Sequence, residues 1–198
     1  MEVIIRPDTN AACELVSALI AQEVRKRPHL VLGLATGRTM ENVYERLAKY
    51  HREEALDFSL SRTYNLDEYI GIAPEDPNSY RFYMNKHLFN KINIDLRNTH
   101  LPNGFAEDVD RECEVYEESI TRAGGSDLQL LGIGRSGHIG FNEPLSALQS
   151  RTRAKSLTPV TIEQNSPLFD PPESMPRRAV TMGVGTILEA KRVITLVT

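Results

Sequence analysis

The sequence of 198 residues lacks the features that are typical of nucleic-acid-binding, membrane-spanning and secreted proteins. Its net charge is −4 and its lysines and arginines form no cluster, which argues against nucleic acid as a partner. No apolar run is long enough to span a membrane. The N-terminal residues, Met-Glu-Val-Ile-Ile-Arg, lack the pattern of a signal peptide. We therefore expect neither a nucleic-acid nor a membrane partner.

Cysteine is scarce as well. Cys13 and Cys113 lie far apart, each in a stretch of helical character, and form neither a disulfide framework nor a metal motif. We therefore expect a reducing, cytoplasmic location. The five histidines show no ligand spacing, so no metal is expected. No internal repeat or linker interrupts the chain, which predicts a single domain over residues 1–198.

Predicted strands and helices alternate along the chain. The patterns predict strands at residues 3–5, 30–34, 63–66, 128–131, 179–182 and 193–197. They predict helices at residues 8–25, 40–50, 79–88, 109–123 and 184–190. Residues 159–176 contain five prolines without a clear period, which is typical of a mobile lid. The alternation predicts an α/β, doubly wound, Rossmann-like fold with a mainly parallel sheet.

The segment most informative about function is 132–144, Gly-Ile-Gly-Arg-Ser-Gly-His-Ile-Gly-Phe-Asn-Glu-Pro, called the histidine loop below. It follows a predicted buried strand, and its glycines permit tight turns and a close approach of a ligand. His138 and Glu143 lie five residues apart, an arrangement that suits a general acid/base at the carboxyl end of a strand. The alternative is a glycine-rich turn with an incidental histidine.

A second loop, Thr36-Gly37-Arg38-Thr39, separates a predicted strand from a predicted helix. Its hydroxyls, backbone N–H groups and helix N-terminus suit a phosphate, and Arg38 can add a charge-assisted hydrogen bond. We expect Arg38 to point into the mouth of the site. The alternatives are an N-cap by Thr39, with Gly37 serving the turn, and a surface salt bridge of Arg38.

A third loop, residues 65–69, delivers Asp67 and Glu68 at the end of a strand. The alternative is an N-cap or a surface carboxylate pair. Loops at the carboxyl ends of neighbouring parallel strands converge. Together, the three loops predict a site that moves a proton between adjacent carbons of a phosphorylated sugar.

These motifs resemble those of the glucosamine-6-phosphate deaminases, also called isomerases. The resemblance runs essentially end to end and is carried by residues 32–37, 65–69, 76–80, 132–144 and 150–153. The string Gly-His-Ile-Gly-Phe-Asn-Glu-Pro is highly specific. The related 6-phosphogluconolactonases share the fold and a Gly-His loop but lack its Phe-Asn-Glu-Pro continuation.

The resemblance implies that Asp67 moves the proton between C2 and C1 of the open-chain sugar. His138 would open the pyranose ring, with Glu143 holding and polarising it within hydrogen-bonding reach. The products would be fructose 6-phosphate and ammonia, formed without a cofactor, and a homo-oligomer is possible. Because a carboxylate is ordinarily charged near neutral pH, Asp67 is expected to be ready to take the proton.

The chain departs from the family pattern at several positions. In the second loop, Arg38 occupies a position where the family usually has a small residue. In the histidine loop, Ser136 occupies a position where the family commonly has Asp or Asn. Ile162 occupies about the position at which the family usually has an arginine that reaches the phosphate. Family members also continue past this chain's last residue into a helix whose lysine binds the phosphate. The alternatives to a deaminase are therefore a 6-phosphogluconolactonase-like hydrolase and a catalytically silent sugar-phosphate-binding protein.

Ser146, Arg153 and Lys155 match part of an allosteric site for N-acetylglucosamine 6-phosphate in some oligomeric relatives. The segments that complete that site in those relatives lie beyond this chain. We therefore expect residues 151–155 to be a basic loop.

Overall fold

In the computed structural model, which describes residues 2–134 and 136–198, a five-stranded parallel sheet forms the centre of the fold. Its strands are β1 (Val31–Leu34), β2 (Arg62–Asn65), β4 (Thr99–His100), β5 (Leu128–Leu131) and β8 (Val193–Thr195). They are ordered β4-β2-β1-β5-β8, and every pairing is parallel. The predicted α/β fold with a mainly parallel sheet is confirmed.

Helices connect and cover these strands. They are α1 (Thr9–Lys26), α2 (Arg38–Glu54), α3 (Tyr80–His87), α4 (Val109–Arg122), α5 (Pro159–Asn165) and α6 (Val184–Leu188). All four residues of β1 are buried, as a strand covered on both faces requires. The side chain of Asp8 accepts a hydrogen bond from the backbone N–H of Ala11, which starts α1 at the predicted place.

A second, antiparallel sheet lies beside the first. It consists of β3 (Asp67–Tyr69), β7 (Arg178–Thr181) and β6 (Arg153–Ser156), ordered β3-β7-β6. Leu66 links the two sheets: its N–H donates to the carbonyl of Leu34, and its carbonyl accepts from Met182. The chain therefore passes directly from the end of β2 into β3, which places Asp67 between the two sheets.

Two hydrophobic cores support this arrangement. The larger core packs α1, α2 and α4 against the parallel sheet, with Ile20, Leu47 and Leu128 fully buried. The smaller core lies by the antiparallel sheet and consists of Tyr69, Ile72, Phe141, Leu157, Phe169, Met175 and Ala179. The histidine loop contributes Phe141 to this smaller core, so packing holds the loop beside β3.

Three predictions of secondary structure were wrong. Residues 3–5 form no strand, and Ile5 is 90% exposed. Three β-branched residues suit a strand, but without a neighbouring strand their backbone groups have no partners. Residues 153–156, expected to be a basic loop, form β6, and residues 67–69 form β3 rather than a loop. Both strands are polar and short, so their pairing depends on β7 and not on their own sequence pattern.

The proline-rich segment, residues 159–176, carries more regular structure than predicted. It contains α5 and two short 3-10 turns, Ser166–Leu168 and Pro172–Ser174. Thr158 caps α5 and Pro159 occupies its first turn, a common helix start. Among the helices that the structure describes, none combines the length and the apolar character needed to cross a bilayer.

Candidate active site

The carboxyl ends of β1, β2 and β5 open onto a cavity of about 760 Å³. All three predicted loops reach it: it is lined by the second loop (Thr36, Gly37, Arg38, Thr39), by Asp67 and by His138. One face of α3 forms another wall, with Tyr80, Tyr83, Lys86 and His87. The fold therefore brings the candidate phosphate loop and two acid/base side chains into one space.

Asp67 is 6% exposed and lies at the start of β3. Its Oδ2 would be 3.3 Å from a Cβ added at Gly140, so the histidine loop runs close beside it. Burial, aided by the negative charge of Glu68, raises the pKa of Asp67 to about 8. Burial and the neighbouring charge of Glu68 thus favour the protonated form of Asp67 near neutral pH, whereas the sequence led us to expect an ionised carboxylate.

Glu68 has a different environment. Its carboxylate accepts hydrogen bonds from the backbone N–H groups of Tyr69, Tyr80 and Arg81, at 2.9 to 3.0 Å. Burial raises the pKa of Glu68, although these three donors act against the rise. Because two of the donors belong to the first turn of α3, Glu68 fixes the cavity-lining helix to β3. Of these two neighbouring carboxyls, Asp67 is the one that lines the cavity.

His138 lies beside Ser136 and Glu143. The Oγ of Ser136 is 2.7 Å from His138 Nδ1 and 3.2 Å from Glu143 Oε2. His138 Nδ1 and Glu143 Oε2 are 3.3 Å apart, so the prediction that the two side chains lie within hydrogen-bonding reach is confirmed. If the Ser136 hydroxyl donates to Glu143, it accepts from Nδ1–H, and this tautomer leaves the Nε2 atom available to act on a ligand.

Glycines shape the histidine loop at two positions. A Cβ added at Gly134 would lie 2.1 Å from His138 Nε2, so the imidazole ring occupies the space that a side chain would need. Gly137 has a φ of +81°, in the left-handed region that favours glycine. These glycines therefore permit the ring to fold back over its own loop.

Two threonines complete the environment of Glu143. Thr158 Oγ1 donates to Glu143 Oε1 at 3.0 Å, and Thr161 Oγ1 donates to the same oxygen. Burial acts to raise the pKa of Glu143, and hydrogen bonds from Thr161 and Thr158 act to lower it. His138 and Ser136 act in the same direction, so the pKa lies below its ordinary value. Nothing in the sequence near Thr158 and Thr161 indicated a contact with Glu143.

The second loop is held from α2 and α3. The α2 helix begins at Arg38 with Gly37 as its N-cap, so the alternative of an N-cap by Thr39 was wrong. Gly37 has a φ of +124°, which favours glycine. The hydroxyl of Tyr83 donates to the carbonyl of Gly37 at 2.8 Å. The loop is therefore braced at the start of a helix, where backbone N–H groups favour an anion.

Positive charge reaches the cavity from two sides. Arg38 is exposed and lines the cavity, and Lys86 lies on the wall formed by α3. Lys86 was not predicted, because its position on the cavity side of α3 depends on how that helix packs. Ile162 packs against the smaller hydrophobic core. Among residues 2–134 and 136–198, no group of three or more side chains suited to a metal ion is found.

Arg153 braces the histidine loop from outside the cavity. Its guanidinium donates to Asn142 Oδ1 at 2.9 Å and to Ser146 Oγ at 3.3 Å. Asn142 in turn donates to the carbonyls of Ile139 and Met182. Ser146 and Arg153, which match part of an allosteric site in some relatives, therefore make contacts that support the loop next to Glu143.

The fold and the site define an α/β enzyme in which candidate acid–base side chains lie beside a loop suited to an anion. The model of the family described as glucosamine-6-phosphate isomerases/6-phosphogluconolactonase matches residues 8–198. The chain belongs to this family.

Individual relatives agree with that assignment. The chain is 48% identical over 198 residues to the glucosamine-6-phosphate deaminase of Shewanella loihica, covering 100% of this chain and 74% of that one. It is 44% identical over 196 residues to the deaminase of Thermoanaerobacter sp. strain X514, covering 99% and 78%. A solved structure described as a monomeric glucosamine-6-phosphate deaminase matches with a TM-score of 0.97 and 42% identity, covering 98% and 81%.

Proposed function

We propose that this chain converts glucosamine 6-phosphate and water into fructose 6-phosphate and ammonia. The observation that carries the proposal is the opening of Asp67, His138 and the Thr36–Thr39 loop onto one cavity, in a chain of this family. Relatives at 44% to 48% identity bear the name glucosamine-6-phosphate deaminase.

The first step is opening of the pyranose ring, which needs an acid/base group. His138 takes a proton from the anomeric hydroxyl and supplies one to the ring oxygen. Glu143 and Ser136 face Nδ1, so they orient the ring and stabilise its protonated form. The product of this step is the open-chain aldehyde.

The second step moves a proton between adjacent carbons. The Asp67 carboxylate removes the proton from C2 and returns it to C1, while the nitrogen loses a proton and the C1 oxygen gains one, so the amino aldehyde becomes a ketose imine with a C1 hydroxyl. Water then adds to the imine, and ammonia leaves. Asp67 must be ionised to begin; the ammonium group of the substrate can draw its raised pKa back down when the two are close. A general base whose pKa lies near the working pH suits this task.

The remaining residues hold the phosphate. Thr36, Gly37 and Thr39 offer hydroxyl and backbone groups at the start of α2, and Arg38 and Lys86 supply positive charge. No cofactor takes part in the proposed steps. We place the reaction in amino-sugar breakdown, downstream of N-acetylglucosamine, and in the cytoplasm, where the free thiols of Cys13 and Cys113 remain reduced.

The assay that tests this function is ammonia release from glucosamine 6-phosphate by the purified chain. Ester hydrolysis of 6-phosphogluconolactone tests the lactonase alternative, which the Phe-Asn-Glu-Pro string at 141–144 disfavours. Binding of the sugar phosphate without turnover would instead indicate the catalytically silent protein. A homo-oligomer stays a prediction, which light scattering tests, since the solved relative is described as monomeric.

A further inference from the structure

We propose that Thr161 is a positioning residue, which with Thr158 holds the Glu143 carboxylate toward His138 and makes α5 part of the acid–base machinery. This inference rests on the proposed function for its catalytic meaning. It concerns a hydroxyl that lies outside all three loops that the sequence singled out.

The two oxygens of Glu143 have separate partners. Oε1 accepts from the hydroxyls of Thr161 and Thr158, both at the start of α5. Oε2 faces Ser136 and His138 in the histidine loop. One oxygen is therefore anchored to α5 while the other serves the imidazole, and the anchor determines the direction in which the carboxylate points.

Thr161 is separable from the folding of α5. The side chain of Thr158 caps the helix by accepting from the N–H of Thr161 at 3.3 Å. The far end of α5 is held by Asn165, whose Nδ2 donates to the hydroxyl of Tyr69 at 3.2 Å. The Thr161 hydroxyl lies 3.2 Å from the Thr158 hydroxyl but takes part in neither of these two contacts, and its residue is only 3% exposed. Its contact with Glu143 is therefore not needed to start or end the helix.

The physical effect of the hydroxyl is electrostatic. A hydroxyl that donates to a carboxylate stabilises the ionised form, and the effect is larger away from water. Losing Thr161 Oγ1 removes one of the donors that keep the pKa of Glu143 low. Among the residues that the structure describes, the titratable or charged groups on the elements around Glu143 include His138 on the histidine loop, Glu163 on α5 and Arg153 on β6. An ionised, correctly aimed Glu143 is what orients His138 and stabilises its protonated form.

The experiment compares Thr161→Val, which removes the hydroxyl at nearly constant shape, with Thr161→Ser, which keeps it. Thr121→Val is the matched control, because Thr121 is exposed on α4 and its hydroxyl donates only to the helix carbonyl of Glu117. Two quantities are measured on each full-length variant. One is the titration of the Glu143 side-chain carboxyl carbon by NMR, with Glu163 followed in the same spectra. The other is the pH profile of kcat and KM for ammonia release.

We expect Thr161→Val to raise the pKa of Glu143 by about one unit and to lower kcat about tenfold, with KM within about twofold. The acid limb of the kcat profile should move to higher pH, because Glu143 would stay protonated to a higher pH. Thr161→Ser and Thr121→Val should behave like the wild type, and Glu163 should titrate alike in all variants. Should Thr161→Val fail to fold, Thr161→Ala removes the same hydroxyl with less bulk.

An unchanged Glu143 titration in Thr161→Val would overturn the inference, and so would an equal shift in Thr161→Ser. A shifted titration with unchanged kcat in an active enzyme would overturn the catalytic part. If the wild type binds the sugar phosphate but releases no ammonia, the proposed function fails, while the titration still decides whether Thr161 holds Glu143.

Discussion

Asp67 and Glu143 are both 6% exposed, yet their surroundings act on them in opposite directions. Burial and the charge of Glu68 raise the pKa of Asp67 to about 8. At Glu143, hydroxyls from α5 and the histidine loop outweigh burial and lower the pKa. The pair shows that the direction of a carboxyl's pKa shift depends on the hydrogen-bond donors and charges beside it as well as on how deeply it is buried. Two carboxyls with separated pKa values are what a site needs to divide base and electrostatic roles.

Of the changes predicted here, removal of the base Asp67 should have the largest effect on turnover. Asp67→Asn keeps the shape of the side chain but cannot accept the C2 proton, so we expect turnover to fall by about two to four orders of magnitude. Ammonia release measures it, with circular dichroism to verify the fold. Asp110→Asn, at an exposed position on α4, is the matched control. Wild-type turnover in Asp67→Asn would show that the base is another group.

On the Glu143 side of the comparison, His138 can be displaced by a substitution that leaves Glu143 and its two threonine donors in place. In Gly134→Ala the added Cβ would lie 2.1 Å from His138 Nε2, so the ring must move. A displacement of about 1 Å at a reacting group can lower the rate about a hundredfold. We expect that loss in kcat with Glu143 still ionised, as judged by its NMR titration. A variant with full activity would mean that the position of the ring is not critical.

The opposite pKa shifts also predict opposite effects of pH on stability. Asp67 ordinarily titrates near 3.8 but near 8 in the folded protein, so the folded state holds its proton across that window. Stability is therefore lost as pH rises from about 4 to 8, by at most on the order of 1 kcal/mol per pH unit. Glu143, with a lowered pKa, contributes stability above about 4.5 that is lost as pH falls.

Denaturant unfolding of the wild type and Asp67→Asn at pH 5, 6, 7 and 8 isolates the Asp67 contribution. The amide does not titrate, so the variant should gain stability relative to the wild type as pH rises. Parallel curves for the two proteins would contradict the raised pKa and would remove the contrast with Glu143.

The smallest effect is expected from substitution of Arg38. This residue lies outside the surroundings of both carboxyls, so its substitution tests substrate binding apart from proton transfer. If Arg38 contacts the phosphate, Arg38→Ala should weaken binding of glucosamine 6-phosphate several-fold. Calorimetry at fixed salt measures this, with the exposed Arg122→Ala on α4 as the control. Equal or tighter binding by Arg38→Ala would show that the arginine is not a phosphate ligand and obstructs the site.

The elements that the sequence predicted well carry strong local signals. The α1 and α4 helices have caps and an apolar face, and β1 and β5 are short apolar runs, so each could be recognised from neighbouring residues alone. The spacing within the histidine loop likewise predicted the approach of His138 to Glu143. By contrast, residues 3–5 carry a strand pattern but form no strand, because pairing needs a partner that the pattern does not specify.

By itself, the sequence determined the alternation of strands and helices, the family motifs and the types of the acid–base residues. Each of these can be recognised from residues that are adjacent in the sequence or that recur with a regular period. Only the tertiary structure decided that Asp67 is buried, with a raised pKa, and that Thr161 donates to Glu143 from eighteen residues away. It also decided that Lys86 lines the cavity. A pKa and a cavity wall depend on which distant side chains meet, and on how much water their packing excludes.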